Sequence, residues 1–179
     1  MKRIVAGALA LTIWLAFGAA AAAQDISIRA FKGQWGGSAV ANNRDSFLFG
    51  VTIRDLDVTI TPKVGGFTIA WTTVIRRGGT PSKPRVRKKS VTMEFVSAGR
   101  KGVWRLASAG DMLRGSPYGW ARLAGRTLTV YLMEIDAGGV YSLARYARTL
   151  SGTGMDLEFI ALRDGEPARI VRGKMVRNR

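Results

Sequence analysis

Cysteine and histidine are absent from the 179 residues, proline appears 5 times, and acidic side chains number 12 against 28 lysines and arginines. Without cysteine there are no disulfides, no thiol redox chemistry and no attachment point for a lipoprotein lipid, so strand ladders and a hydrophobic core must supply the stability. Without histidine the chain lacks the commonest metal ligand and the commonest general base at neutral pH, which excludes His-based triads and the usual zinc sites. No motif assigns a catalytic residue, a metal ligand or a cofactor. Asp55 with Asp57, and Asp156 with Glu158, are spaced i, i+2, as in a solvent-facing row on a strand, and neither pair has a partner motif for acid–base work. Helical periodicity is missing as well: from Phe31 onward no window sustains a 3.6-residue apolar repeat over several turns.

What is present begins with an export signal. Lys2 and Arg3 precede an apolar stretch from Ile4 to Phe17, and Ala19 to Ala23 offer small-residue cleavage sites before Gln24. Residues 1–23 therefore read as a cleaved signal peptide and 24–179 as a single domain in the periplasm or the medium. Without Lys2 and Arg3 the balance is 26 basic against 12 acidic residues, a net charge of +14. Such a charge attracts anionic surfaces such as lipid headgroups or lipopolysaccharide. Export away from the cytoplasm argues against nucleic acid as the partner.

Beyond the signal, short segments rich in Val, Ile, Thr and aromatics alternate with Gly-containing turns. They predict strands over Phe31 to Ala41, Phe47 to Ile53 running on or bending into Leu56 to Thr61, Phe67 to Ile75, Val91 to Val96, and Val103 to Leu106. Further strands follow over Tyr118 to Leu123, Thr127 to Ile135, Tyr141 to Thr149, Met155 to Leu162 and Ala168 to Val176. Asp164-Gly165 is a two-residue hairpin signal, because both central residues of that turn need positive φ. Eight to ten sequential antiparallel strands without a long crossover remove their edges by closing, so an all-β, up-and-down barrel is expected. Two stretches are predicted irregular, Ala107 to Pro117 and the proline-containing Arg76 to Lys89. Within the second, Lys83, Arg85, Arg87, Lys88 and Lys89 are candidates for contact with an anionic surface, set against a plain solvated hairpin loop.

Alternation puts Phe67, Ile69, Trp71, Thr73 and Ile75 on one strand face, and Leu128, Val130 and Leu132 opposite Thr129, Tyr131 and Met133. Because both faces carry apolar residues, the barrel could be lined for an apolar ligand or covered outside. Most aromatics, Trp104 included, belong to the core by default. Trp71, Trp120, Tyr131, Tyr146 and Arg145 are the candidates for a ligand-binding interior, while Arg148 would also suit a buried anionic headgroup but reads first as a surface residue.

The first strand opens Phe31-Lys32-Gly33-Gln34-Trp35, an F-x-G-x-W start. This resembles the opening of the lipocalin and fatty-acid-binding protein group. The resemblance implies a lipocalin-like barrel of about eight to ten strands in which Gly33 and Trp35 close the narrow end, with an arginine of the last strand stacked on the indole. The last strand offers Arg169, Arg172 and Arg177, and Arg172 is the expected partner. It also implies a small apolar or amphipathic ligand in the cell envelope, with an anionic, lipid-like molecule among the candidates, and binding in preference to catalysis. Two alternatives stay open, a small outer-membrane barrel and a lipocalin-like barrel enzyme of the isomerase or cyclase type.

Overall fold

The computed structural model describes residues 26–43, 51–80, 83–108 and 110–178, with backbone alone at 43, 51, 76–80 and 83–85. The predicted signal peptide, as well as Phe47 and Phe49, lies outside the described residues. A one-turn helix, Ile28–Phe31, leads into ten strands: β1 (Gly33–Asn43), β2 (Val51–Lys63), β3 (Gly66–Thr80), β4 (Lys83–Ser97) and β5 (Val103–Leu106), then β6 (Tyr118–Ala124), β7 (Thr127–Ile135), β8 (Tyr141–Ser151), β9 (Gly154–Arg163) and β10 (Glu166–Arg177). Each strand pairs antiparallel with its sequence neighbours, and β10 closes on β1 in a register from Trp35 opposite Arg177 to Asn43 opposite Arg169. The architecture is the expected all-β, up-and-down barrel. Asp164 and Gly165 turn between β9 and β10 with φ of 46° and 84°, the geometry that makes Asp-Gly a two-residue hairpin.

Of the two courses open at Ile53, the strand runs on: β2 continues unbroken from Val51 to Lys63. One expectation needs correction, since the described part of the stretch 76–89 is not irregular. β3 and β4 carry their ladder through Arg76 opposite Val86 and, past a register shift, to Thr80 opposite Lys83. Pro84 is accommodated there because proline costs a sheet little near the end of a strand, where few ladder bonds depend on its missing N–H. The predicted irregular stretch 107–117 does connect β5 to β6, through a short turn at Met112–Arg114 that Asp111 caps by accepting from the Leu113 N–H at 3.0 Å.

One end of the barrel is solid. Phe31 and Phe67 are fully buried, Phe67 stacks on Phe95 with centroids 5.0 Å apart, and Trp104 meets Phe67 edge-on at 5.3 Å. Above this layer Ile60, Ile69, Leu128, Val130, Met155 and Met175 fill the interior, as side chains do in barrels of this bore. Trp35 seals the floor: its Nε1–H donates to the Phe31 carbonyl at 3.1 Å, and a guanidinium stacks on its ring at 4.6 Å. That guanidinium belongs to Arg177, not Arg172. Arg177 is the direct cross-strand partner of Trp35, whereas Arg172 lies opposite Val40 on the outer face and pairs with Glu158 at 3.3 Å. Gly33 keeps its place under this lid, since with φ of 137° and the Arg177 side chain 3.5 Å from where its Cβ would be, it adopts backbone that other residues rarely reach.

The outer face is two-sided. On β1 to β4 it shows Asp55, Asp57, Thr59, Thr72, Ser90 and Glu94 beside the exposed apolar Val40, Ile53 and Val86, whereas on β6 to β9 Trp120, Tyr131, Met133, Leu143, Ile160 and Leu162 stand among Arg122, Arg145 and Glu158.

Candidate functional site

Toward the other end, above the packed floor, the interior is hollow. A cavity of about 360 Å³ opens there, within the usual size range of small-molecule sites. Its apolar walls include Leu56, Val58, Trp71, Ile75, Val91, Leu157, Phe159 and Val171. Among the described residues five cations line it as well, Arg54, Arg87, Lys89, Arg148 and Arg169, and no carboxylate does. Such a lining favours a molecule that is apolar along its body and negatively charged.

Arg148 is the centre of this arrangement. In β8, Tyr146 and Arg148 share the inward face, so one side chain follows the other into the bore. Arg148 is 1% exposed, and its guanidinium lies 5.4 Å from the Trp71 ring centre and 5.5 Å from that of Tyr146. The two rings solvate the charge weakly through their π faces. Its Nε and Nη1 have no hydrogen-bond partner among the described residues. Burial lowers its pKa to about 10, and the Tyr146 oxygen opposes that lowering, so the guanidinium stays charged at neutral pH. Buried polar groups are nearly always satisfied, and these two nitrogens, enclosed in the cavity wall, are exceptions. Burial likewise raises the Tyr146 pKa, with Arg148 the largest of the charges pulling it back, so the phenol remains a neutral donor.

Trp71 and Tyr146 stand in the cavity wall with ring centres 5.0 Å apart, and Phe159 packs on Tyr146 at 4.6 Å. The structure places Trp120, Tyr131 and Arg145 on the outside instead. Gly119 and Ala121 are the inward residues of β6, and Val130, fully buried, is inward on β7, which turns Trp120 and Tyr131 outward into a stacked pair 4.8 Å apart. Arg145, one residue before inward Tyr146, pairs with Glu158 at 2.9 Å on the outer wall. Of the basic residues around the hairpin, Arg87 and Lys89 line the cavity and exposed Lys88 points away, while the side chains of Lys83 and Arg85 lie outside the described residues. Arg54 and Arg169 enter the site from β2 and β10 with no sequence signal beyond their parity with inward Leu56 and Val171.

The fold and the site together define an up-and-down barrel with one sealed end and one cationic, aromatic-walled cavity. No family model matches the chain, and no curated protein matches it. Among solved structures, a protein of unknown function of the DUF3598 family from Nostoc punctiforme aligns at 14% identity and a TM-score of 0.57, over 86% of this chain and 49% of its own. The chain thus spans about half the length of that protein, and the likeness is one of fold. An S-type phycobiliprotein lyase from Guillardia theta aligns at 11% identity over 86% of this chain and 94% of its own, with a TM-score of 0.39. An N-terminal dehydratase from the difficidin assembly line aligns at 12% identity over 83% and 78%, with a TM-score of 0.25. At those last two scores the alignments say nothing of function.

Proposed function

We propose that this protein is an exported binding protein that takes a small amphipathic anion into the open half of its barrel. The apolar body lies against Trp71, Val91 and Phe159, and the anionic group accepts from Arg148. The observation that carries this reading is the buried Arg148 guanidinium, charged and with two nitrogens lacking a hydrogen-bond partner, in the wall of a cavity that no carboxylate lines among the described residues. Burying a charge without a partner costs several kcal/mol, on the order of the stability of a whole small domain, and a ligand oxygen would offset that cost. Export rests on the signal sequence at residues 1–23. The outer face speaks against a lipid-spanning barrel, because such barrels show an apolar belt all round and β1 to β4 show Asp55, Asp57 and threonines.

Trp71 supplies the readout. Titration of the purified protein with dodecanoate should change the tryptophan emission saturably, while dodecyltrimethylammonium at equal concentration should not. Equal binding of both amphiphiles, or of neither, would sink the proposal.

A further inference from the structure

The cavity holds more positive charge than one anionic group can use. Resting on the binding function proposed above, we infer that the ligand carries two anionic groups, one at each end of an apolar body, held at two separate levels of the bore. Arg148 forms the inner level, beside Trp71. The outer level is on β4, where Lys89 and Arg87 follow Val91 on the same inward face at successive i, i+2 positions. Val91 is the cross-strand partner of Trp71, Lys89 of Thr73 and Arg87 of Ile75. At about 3.4 Å of rise per residue, Lys89 and Arg87 stand about 7 and 14 Å along the strand from the level of Trp71.

Both side chains are exposed, both line the cavity, and neither makes an ion pair with the described residues. Glu134 on β7 is the one carboxylate whose charge bears on Tyr146, and it does not line the cavity. Trp71 and Val91 stand at the inner level and Ile75 faces Arg87 at the outer one, with Thr73 opposite Lys89 between them, so this side of the bore offers contact to methylenes while Arg54 and Arg169 line it as well. A single-headed anion seated on Arg148 would leave its tail among Lys89 and Arg87 at the wet end. Seated the other way, it would leave Arg148 unsatisfied. A molecule with a carboxylate or phosphate at both ends satisfies both levels at once.

The test is a chain-matched pair of probes, dodecanoate and dodecanedioate, titrated against the mature protein by Trp71 fluorescence and by calorimetry. Because the outer pair is solvent-exposed, the second contact is worth about threefold to tenfold in affinity. The diacid should bind tighter than the monoacid by that factor, and the preference should shrink in about 0.5 M salt, where exposed charges are screened. In the double variant Arg87→Gln with Lys89→Gln, both acids should lose some affinity with the lost positive field, and the ratio of diacid to monoacid affinity should fall to about one. Far-UV circular dichroism confirms that the barrel persists. Equal affinity of the two acids for the unmodified protein, or a preference that survives the double variant, would overturn the two-level inference and leave the binding function standing. Failure of both acids to bind would overturn that function as well.

Discussion

Replacing Arg148 by methionine should make the free protein more stable and its ligand binding worse. At about 1.4 kcal/mol per tenfold in proton affinity, holding the guanidinium near 10 instead of at the ordinary arginine value costs the fold roughly 3 kcal/mol. The two contacts with Trp71 and Tyr146 return about 1 kcal/mol or somewhat more. Methionine, unbranched and of similar reach, fills the same space without a charge. The net gain is on the order of 1–2 kcal/mol, which for a domain of this size raises Tm by about 4 °C. The sign holds across the physiological range. Between about 10 and the ordinary arginine pKa the unfolded chain binds more protons than the folded one, so the charge cost is constant below about pH 10 and is relieved only above it. Urea and thermal unfolding of the ligand-free protein measure the stability term, and fluorescence titration with dodecanoate measures the other. A variant that is less stable than the parent and still binds dodecanoate with full affinity would falsify the reasoning.

Other outcomes follow from the same geometry. Dodecanoate affinity should be flat from pH 6 to 9 and decline as pH rises through about 10, where the Arg148 charge begins to be lost; a decline centred near neutrality would point to another group. Arg177→Met should lose about 1 kcal/mol in urea unfolding because it removes the stack on Trp35 and the bond to the Ala30 carbonyl, whereas Arg172→Met, on the exposed outer wall, should lose less than about 0.5 kcal/mol. Gly37→Ala should cost more than about 2 kcal/mol by calorimetry, since its Cβ would fall on the Lys174 carbonyl oxygen of β10, while Gly152→Ala meets nothing within 4 Å and should stay within about 0.5 kcal/mol. Trp120→Ser should leave dodecanoate affinity unchanged, and Trp71→Ser should abolish the fluorescence response.

The strands were legible because period-two patterning and Gly turns are local signals. β5 and β7 fall on the predicted residues, and the other strands differ mainly at their ends. What failed is instructive in each case. Proline and like charges over 76–89 suggest an extended coil, but a hairpin can continue β3 and β4 outward, where solvent takes up the charges. For the floor, the last strand offered three arginines of similar standing, and only the β1–β10 register picks Arg177. Trp71 was legible as an inward residue because alternation puts it on one face with Phe67, Ile69 and Ile75, whose side chains are the largest apolar ones of that strand. Trp120, Tyr131 and Arg145 were not, because in β6 to β8 both faces carry apolar residues and alternation cannot say which one is inside.

By itself the sequence determined the class of the molecule: zero cysteine and evenly spaced hairpins leave an all-β chain stabilised by its ladders. Those are composition and nearest-neighbour properties, and they need no knowledge of which strands meet. Only the tertiary structure decided the site. Closure of β10 onto β1 fixes a single inside, and with it sends Ala121 and Val130 inward in place of Trp120 and Tyr131, and Tyr146 and Arg148 in place of Arg145. Arg148 is a buried charge because closure of the barrel removes its water, and nothing in the residues around position 148 announces that loss of solvent.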